Sequence, residues 1–270
     1  MPASSLASGR TEIKLTICHL YPDLMNIYGD RGNIISLAQR ARWRGIEVEV
    51  VPVSLGDRLD PDRCDIIFFG GGQDKEQTLV AADFRSVQAS AVHRFVEDGG
   101  PLLSICGGYQ LLGKYFRTHT GETLDGIGLF DAWTVAGEKR CIGNALVECN
   151  FAGESPRSLV GFENHSGKTY LGQGCRPMGR VLSGFGNNGE DGLEGAVYRN
   201  SFGCYLHGSL LPKNPWFTDH LLLVALQRRY GGGVQLDPLD DTLEQRAHEA
   251  VIARIKKLGK LNTGVDHVQR

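Results

Sequence analysis

The sequence has no apolar run long enough to cross a membrane as a helix; the longest near its C-terminal end covers only residues 221–226. Its first ten residues lack a basic start followed by an apolar core, so no secretory signal is expected and the reading is cytosolic. It has no Cys-x-x-Cys pair: seven cysteines, at 18, 64, 106, 141, 149, 175 and 204, are odd in number and scattered, which argues against a disulfide framework and a zinc knuckle. No excess of one charge is present. With 29 basic and 31 acidic residues and a net charge of −2, there is no bulk electrostatic case for nucleic acid or an anionic membrane. No Gly-x-x-x-x-Gly-Lys-Ser/Thr loop occurs and no Gly-x-Gly-x-x-Gly opens a helix after the first strand, so neither ATP nor a dinucleotide is expected in this chain. Internal repeats and linkers rich in Pro, Gly or Ser are missing too, which leaves one domain over residues 12–258 with flexible tails at 1–11 and 259–270.

Glycine, by contrast, is abundant at 36 residues, gathered in turns such as Gly70-Gly71-Gly72, where bare backbone can approach a ligand. Apolar runs at residues 13–19, 46–53 and 64–69 read as strands. Ile34, Leu37, Ala38 and Ala41 recur at helical spacing up to Gly45, and Phe84, Val87, Ala91 and Phe95 mark a second helix that ends at Gly99-Gly100. This alternation predicts an α/β fold: a mostly parallel sheet with helices on both faces. After about residue 125 the texture changes to short β-like pieces (127–135, 145–149, 160–163, 179–182, 195–199, 202–206), read as mixed or antiparallel strands that extend the first part. Two helices close the chain, around residues 216–229 and 243–258, the latter with Leu243, Ala247, Val251, Ile255 and Leu258 in register.

The most informative stretch is Pro101-Leu102-Leu103-Ser104-Ile105-Cys106-Gly107-Gly108-Tyr109-Gln110. An apolar run meets one cysteine and two glycines, and a helix-spaced pattern resumes at Leu111, Leu112, Tyr115 and Phe116. That is a strand, a sharp turn and a helix, with a thiol at the carboxyl end of a sheet strand, where open α/β folds place their ligands. The free N–H groups and partial positive charge of a helix start favour a thiolate, and Gly107 and Gly108 remove the Cβ atoms that would block access to it. A thiolate needs a proton acceptor. Of eight histidines, His207 in Tyr205-Leu206-His207-Gly208 and His165 in Gly161-Phe162-Glu163-Asn164-His165 stand at strand ends; the other six sit in ordinary contexts. Gly70-Gly71-Gly72 follows the third strand at the same sheet edge, so that Gly72 and Gly107 can offer N–H groups to an oxyanion. A plain tight turn remains the alternative for the triplet, as a buried structural thiol does for the cysteine.

Together these motifs resemble class I glutamine amidotransferases. Residues 105–110 and Gly161-Phe162-Glu163-Asn164-His165 are similar to the cobyric acid synthase-like branch. Leu24-Met25-Asn26-Ile27-Tyr28-Gly29-Asp30-Arg31-Gly32-Asn33, Gly184-Phe185-Gly186-Asn187-Asn188 and residues 206–214 are similar to the glutaminase subunits of lipid II isoglutaminyl synthases. The resemblance implies that Cys106 attacks the side-chain amide of L-glutamine, that His207 moves the proton, and that Gln110 and Arg140 contact the substrate. It departs from the broader family at Ser209, two residues after the histidine, where a carboxylate usually stands. Asp30 and Glu163 are then the candidates for the third catalytic residue, a Cys–His dyad is the alternative, and His165 is read as structural or supporting. The resemblance further implies an ATP-dependent, Mur-ligase-like partner in a heterodimer. The partner would hold ATP and Mg and amidate the D-glutamate of lipid II, while this chain carries no metal and does not enter the bilayer. Service to another synthetase, a cysteine peptidase of the same architecture and a non-catalytic binding subunit are the rival readings.

Overall fold

The computed structural model describes residues 13–259 apart from 152 and 154, so the expected tail at 1–11 and residues 260–270 of the other lie outside the described residues. The first half alternates strand and helix: β1 (Lys14–Leu20), α1 (Arg31–Arg42), β2 (Glu47–Val53), β3 (Ile66–Phe69), α2 (Asp74–Asp83), a π-helical turn (Phe84–Gln88), α3 (Ala89–Glu97), β4 (Leu102–Ile105) and α4 (Gly107–Leu112). The second half runs through β5 (Tyr115–Arg117), β6 (Thr123–Asp125), β7 (Ala132–Cys149), β8 (Arg157–Leu171), β9 (Gly179–Ser183), β10 (Leu193–Glu194), β11 (Ala196–Tyr198) and β12 (Ser201–Cys204) to α5 (Pro215–Tyr230) and α6 (Thr242–Lys257).

Two six-stranded sheets result. The first has the order β11-β12-β4-β3-β1-β2 and is parallel except at β11; the second has the order β10-β9-β7-β5-β6, with β8 paired to β7. β3 and β4 are apolar over nearly their whole length because both faces are covered, and all eight of their residues are buried. One apolar core joins the sheets. Tyr109 bridges them, its ring 5.7 Å from Phe130 and 5.5 Å from Tyr205, and each such buried aromatic stabilises the fold by about 2–3 kcal/mol. A small second cluster of Leu146, Val160 and Ile255 lies under α6.

The elements differ from the sequence reading in five places. α1 begins at Arg31, so Arg31-Gly32-Asn33 belongs to the helix and not to the loop before it; Asn26 Oδ1 accepts the Arg31 N–H and starts the first turn. The stretch before Gly99 starts already at Asp74, and its π-helical turn inserts a residue that a strict 3.6 spacing does not register. Tyr115 and Phe116 belong to β5, because the helix stops at Gly113, whose packing on the Ala132 carbonyl leaves no room for a side chain. The pieces expected at 127–135, 145–149 and 160–163 are parts of one long antiparallel ribbon, β7–β8, whose alternation is broken by a bulge between Ala136 and Cys141. In α6 the expected stripe is buried only at Ile255; Leu243 and Leu258 at its ends are exposed.

What matters for function is direction. β1, β3, β4 and β12 are mutually parallel, so the segments that follow them all emerge at one sheet edge. Those segments carry Asp30, Gly70-Gly71-Gly72, Cys106 and His207. Carboxyl ends of parallel strands are where open α/β sheets bind ligands.

Candidate active site

Cys106 joins β4 to α4 at φ 50°, ψ −106°, a conformation that L-residues adopt only under strain. Its N–H donates to the Cys204 carbonyl (2.8 Å) and its carbonyl accepts the Gln110 N–H (2.9 Å), which fixes the elbow between β12 and α4. Gly108 must be glycine, since a Cβ there would lie 2.6 Å from the Phe69 carbonyl oxygen and 2.8 Å from that of Gly70. The Gly108 N–H donates to the Gly70 carbonyl (3.1 Å), whereas the N–H groups of Gly72 and Gly107 find no acceptor among the described residues. Both are therefore open to an acceptor from outside the described residues.

His207 follows β12 and is fully buried. Its backbone pairs with Phe162 of β8 on both sides, at 2.9 and 3.1 Å. Its Nδ1 lies 3.2 Å from Asp30 Oδ1, and the other Asp30 oxygen accepts the Gly71 N–H at 2.8 Å. Burial pushes the imidazolium down, but the neighbouring Cys106 sulfur and then the Asp30 hydrogen bond outweigh it and hold His207 up at about 10. Its Nε2 has no nitrogen or oxygen partner among the described residues and is left to the thiol. Gly71 sits among all three side chains: a Cβ at that position would lie 3.0 Å from His207 Cε1, 3.2 Å from Cys106 Cβ and 3.3 Å from Asp30 Oδ2. A side chain there would crowd all three groups, and glycine leaves them room to converge.

Of the two candidates for the third position, the structure brings Asp30 to His207. Glu163 is turned elsewhere. Its carboxylate accepts the N–H groups of Phe185 and Gly186 (2.9 and 2.7 Å) and so holds the 184–188 loop, and burial pushes its pKa up to about 7. Ser209, in the place of the family's usual carboxylate, donates its hydroxyl to the Gly29 carbonyl (2.5 Å) and thereby anchors the loop that carries Asp30. Asn33 Oδ1 accepts the Leu211 N–H (2.9 Å) and ties the same two segments again.

The thiol opens into a cavity of about 530 Å³ lined by Tyr28, Gly72, Gln77, Gln110, Arg140, Asn164 and His165, among others. That volume suits a small-molecule substrate. Arg140, expected from the resemblance to contact substrate, belongs to the charged Glu138-Lys139-Arg140 run, and the β7 bulge carries it to the cavity lining. There Arg140 Nε donates to Asn164 Oδ1 (2.7 Å) and Nη2 to the Tyr28 hydroxyl (3.0 Å), so both partners are neutral and its charge is left for a ligand. Gln110 is buried; its Oε1 accepts from Gln77 Nε2 (2.8 Å) and its Nε2 donates to the Tyr205 hydroxyl (3.0 Å). His165 lies within β8, not at its end. It stacks on Tyr205 with ring centroids 3.7 Å apart, donates Nδ1–H to the Gly167 carbonyl (2.8 Å), and burial pushes it down to about 4, so it is neutral at pH 7. Among the described residues no group of three or more His, Cys, Asp or Glu is placed to hold a metal ion.

Sequence reasoning missed Gln77, Tyr28 and Asn164 as parts of this site. Tyr28 stands in the polar, glycine-punctuated loop before Asp30 and Asn164 in the Gly161-Phe162-Glu163-Asn164-His165 motif, whereas Gln77 carried no signal.

The chain's sequence and fold resemble those of known proteins. Residues 16–215 match the CobB/CobQ-like glutamine amidotransferase domain. The chain belongs to that family. It is 41% identical over 249 residues to the GatD subunit of the glutamine-hydrolysing lipid II isoglutaminyl synthase of Staphylococcus aureus, a match that covers 92% of this chain and 98% of the relative. It is 40% identical over 252 residues to the subunit of the same name from Streptococcus pneumoniae, with 92% and 95% covered. Among solved structures, PurLQS from Thermotoga maritima shares the fold, with a TM-score of 0.52 at 17% identity over 92% of this chain and 100% of that one. For a glutamine amidotransferase, a strained cysteine at a strand end, facing a buried histidine–aspartate pair and two free N–H groups, supplies what amide hydrolysis through a thioester requires.

Proposed function

We propose that this amidotransferase is the glutaminase subunit of a lipid II isoglutaminyl synthase, with Cys106 as nucleophile, His207 as proton carrier and Asp30 as its orienting carboxylate. The observation that carries the reading is the convergence of these three side chains around Gly71 at one sheet edge. The Cys106 thiolate attacks the side-chain carbonyl carbon of L-glutamine, and the oxyanion is taken by the N–H groups of Gly72 and Gly107. The imidazolium of His207 gives its proton to the leaving nitrogen, so ammonia departs and a γ-glutamyl thioester remains. His207, now neutral, takes a proton from water as the water attacks the thioester; glutamate leaves and the thiolate–imidazolium pair is restored. Arg140 offers its uncompensated guanidinium to the α-carboxylate, and Gln110 forms part of the cavity floor.

Ammonia released into water at neutral pH is protonated and loses its nucleophilicity, so it must pass directly to an acceptor. The chain carries no nucleotide-binding loop, and its likeness to proteins named as synthase subunits supports a partner subunit, which we take to be an ATP-dependent, Mur-ligase-like protein in a heterodimer. That partner would hold ATP and Mg and activate the D-glutamate carboxylate of lipid II, so that the joint product is D-isoglutamine in peptidoglycan. No helix among the described residues is long and apolar enough to cross a membrane, and we place the subunit in the cytoplasm, meeting lipid II through the partner. The test is glutamate release from L-glutamine by this chain, alone and with such a partner. Release by the wild type that is lost in Cys106→Ala supports the reading, and no release in either setting would overturn it.

A further inference from the structure

The loop that carries Asp30 also places Tyr28, which touches both halves of the site. Its hydroxyl accepts from Arg140 Nη2 at 3.0 Å, and its ring stands edge-on to the His207 imidazole, 5.1 Å between centroids at 77°. The side chain is 43% exposed and lines the cavity, so core packing does not explain its position. The backbone does not favour it either. Tyr28 has φ 53°, a left-handed conformation that costs an aromatic residue about 1 kcal/mol. The strain is held in place on both sides. The Ile27 N–H donates to the Gly71 carbonyl (3.2 Å) and the Gly29 carbonyl accepts the Ser209 hydroxyl (2.5 Å). A strained, half-exposed tyrosine pinned at both neighbours and shared by two functional groups is placed for a task.

We propose that Tyr28 is a positioning residue that couples the cation recognising the substrate carboxylate to the catalytic imidazole: its hydroxyl aims Arg140, and its ring shields the Asp30–His207 pair from water. The two contacts belong to different parts of one side chain and are therefore separable. Loss of the hydroxyl loosens Arg140 and weakens binding. Loss of the ring wets the imidazole and slows chemistry. Asn164 holds Arg140 at Nε (2.7 Å) through its side-chain amide, so Asn164 tests the binding half.

The inference rests on the glutaminase reading, and the test separates the two. The rate at which Cys106 is alkylated by diazo-oxo-norleucine, a glutamine analogue with an α-carboxylate, is followed by intact mass on the full chain as its concentration is raised. Iodoacetamide, which has no carboxylate, serves as the control electrophile. Tyr28→Phe is expected to raise the half-saturating concentration about five- to tenfold, within the range for one lost intramolecular hydrogen bond, with the maximal rate within about twofold and the iodoacetamide rate unchanged. Asn164→Ala is expected to behave like Tyr28→Phe. Tyr28→Leu is expected to lower the maximal rate about tenfold as well and to shift the pH profile of iodoacetamide labelling. An unaltered half-saturating concentration in Tyr28→Phe would overturn the inference, as would a maximal rate in Tyr28→Leu equal to that of Tyr28→Phe. Should Tyr28→Leu fail to fold, the phenylalanine and Asn164 arms decide. Failure of diazo-oxo-norleucine to label Cys106 in the wild type would instead overturn the glutaminase reading itself.

Discussion

Cys106, His207 and Asp30 come from three segments far apart in the chain, and their meeting depends on what is missing at a fourth. Gly71 fills the space between them with backbone alone, so Gly71→Ala places a methyl group 3.0 Å from His207 Cε1 and 3.2 Å from Cys106 Cβ. Glutamine hydrolysis in that variant is expected to fall at least 100-fold with the thermal midpoint nearly unchanged, since the new methyl crowds the site rather than the core. Asp30→Asn is expected to lower kcat by roughly 10²- to 10⁴-fold, because the amide can hold His207 in the wrong tautomer. The Cys106 sulfur, and after it Asp30, also set a pH dependence through His207. His207 binds its proton more tightly when folded, at about 10 against the ordinary 6.5. Its stabilising contribution is therefore complete below about pH 6.5 and is lost as pH rises through about 10. Thermal midpoints measured from pH 6 to 10 are expected to fall more steeply for the wild type than for Asp30→Asn. The sequence names Cys106 and His207 because each is marked by its own neighbours: an apolar run and two glycines for one, a strand end and a glycine for the other. It leaves Asp30 and Glu163 level, because the 177-residue separation between Asp30 and His207 is closed only by folding. Gln77 gains its meaning from contacts that no local pattern announces.

At the level of elements, the parallel strands are legible as buried apolar runs, whereas the β7–β8 ribbon is not. Its alternation breaks at residues 137–140, where four residues of β7 stand opposite Ser166 alone, and the resulting bulge is what delivers Arg140 to the cavity. Replacing residues 137–140 by a two-residue link is expected to keep the ribbon and the fold but raise the KM for glutamine at least tenfold. Glu163, on β8, serves the ribbon's packing instead of the chemistry: it holds the 184–188 loop, and burial lifts its pKa from 4.5 to about 7. A carboxyl group that holds its proton more tightly when folded contributes stability at low pH that diminishes as pH climbs from about 4.5 to about 7. Between pH 5 and 7 the stability of Glu163→Gln is expected to vary less with pH than that of the wild type, as followed by urea unfolding at several pH values.

Across the whole molecule, the site depends on how α1 is held, since Asp30 immediately precedes it. Arg40, only 2% exposed, meets both Asp219 oxygens on α5 at 2.7–2.8 Å and Asp241, at the start of α6, at 2.6 Å; Arg44 joins the same Asp219. Asp219→Ala leaves the Arg40 guanidinium with one carboxylate in place of two and is expected to cost about 3 kcal/mol of stability, with a drop in kcat as α1 loosens. These helices are read easily from periodicity, yet the ion network between them spans nearly 200 residues and cannot be inferred from spacing. In the proposed function this chain generates ammonia from glutamine at Cys106 for a partner that uses it. The most direct test is lipid II amidation by the reconstituted complex with ATP and Mg, supplied with either L-glutamine or ammonium salt. With Cys106→Ala the account predicts no amidation from glutamine and undiminished amidation from ammonium. Glutamine-dependent amidation that survives Cys106→Ala would contradict it.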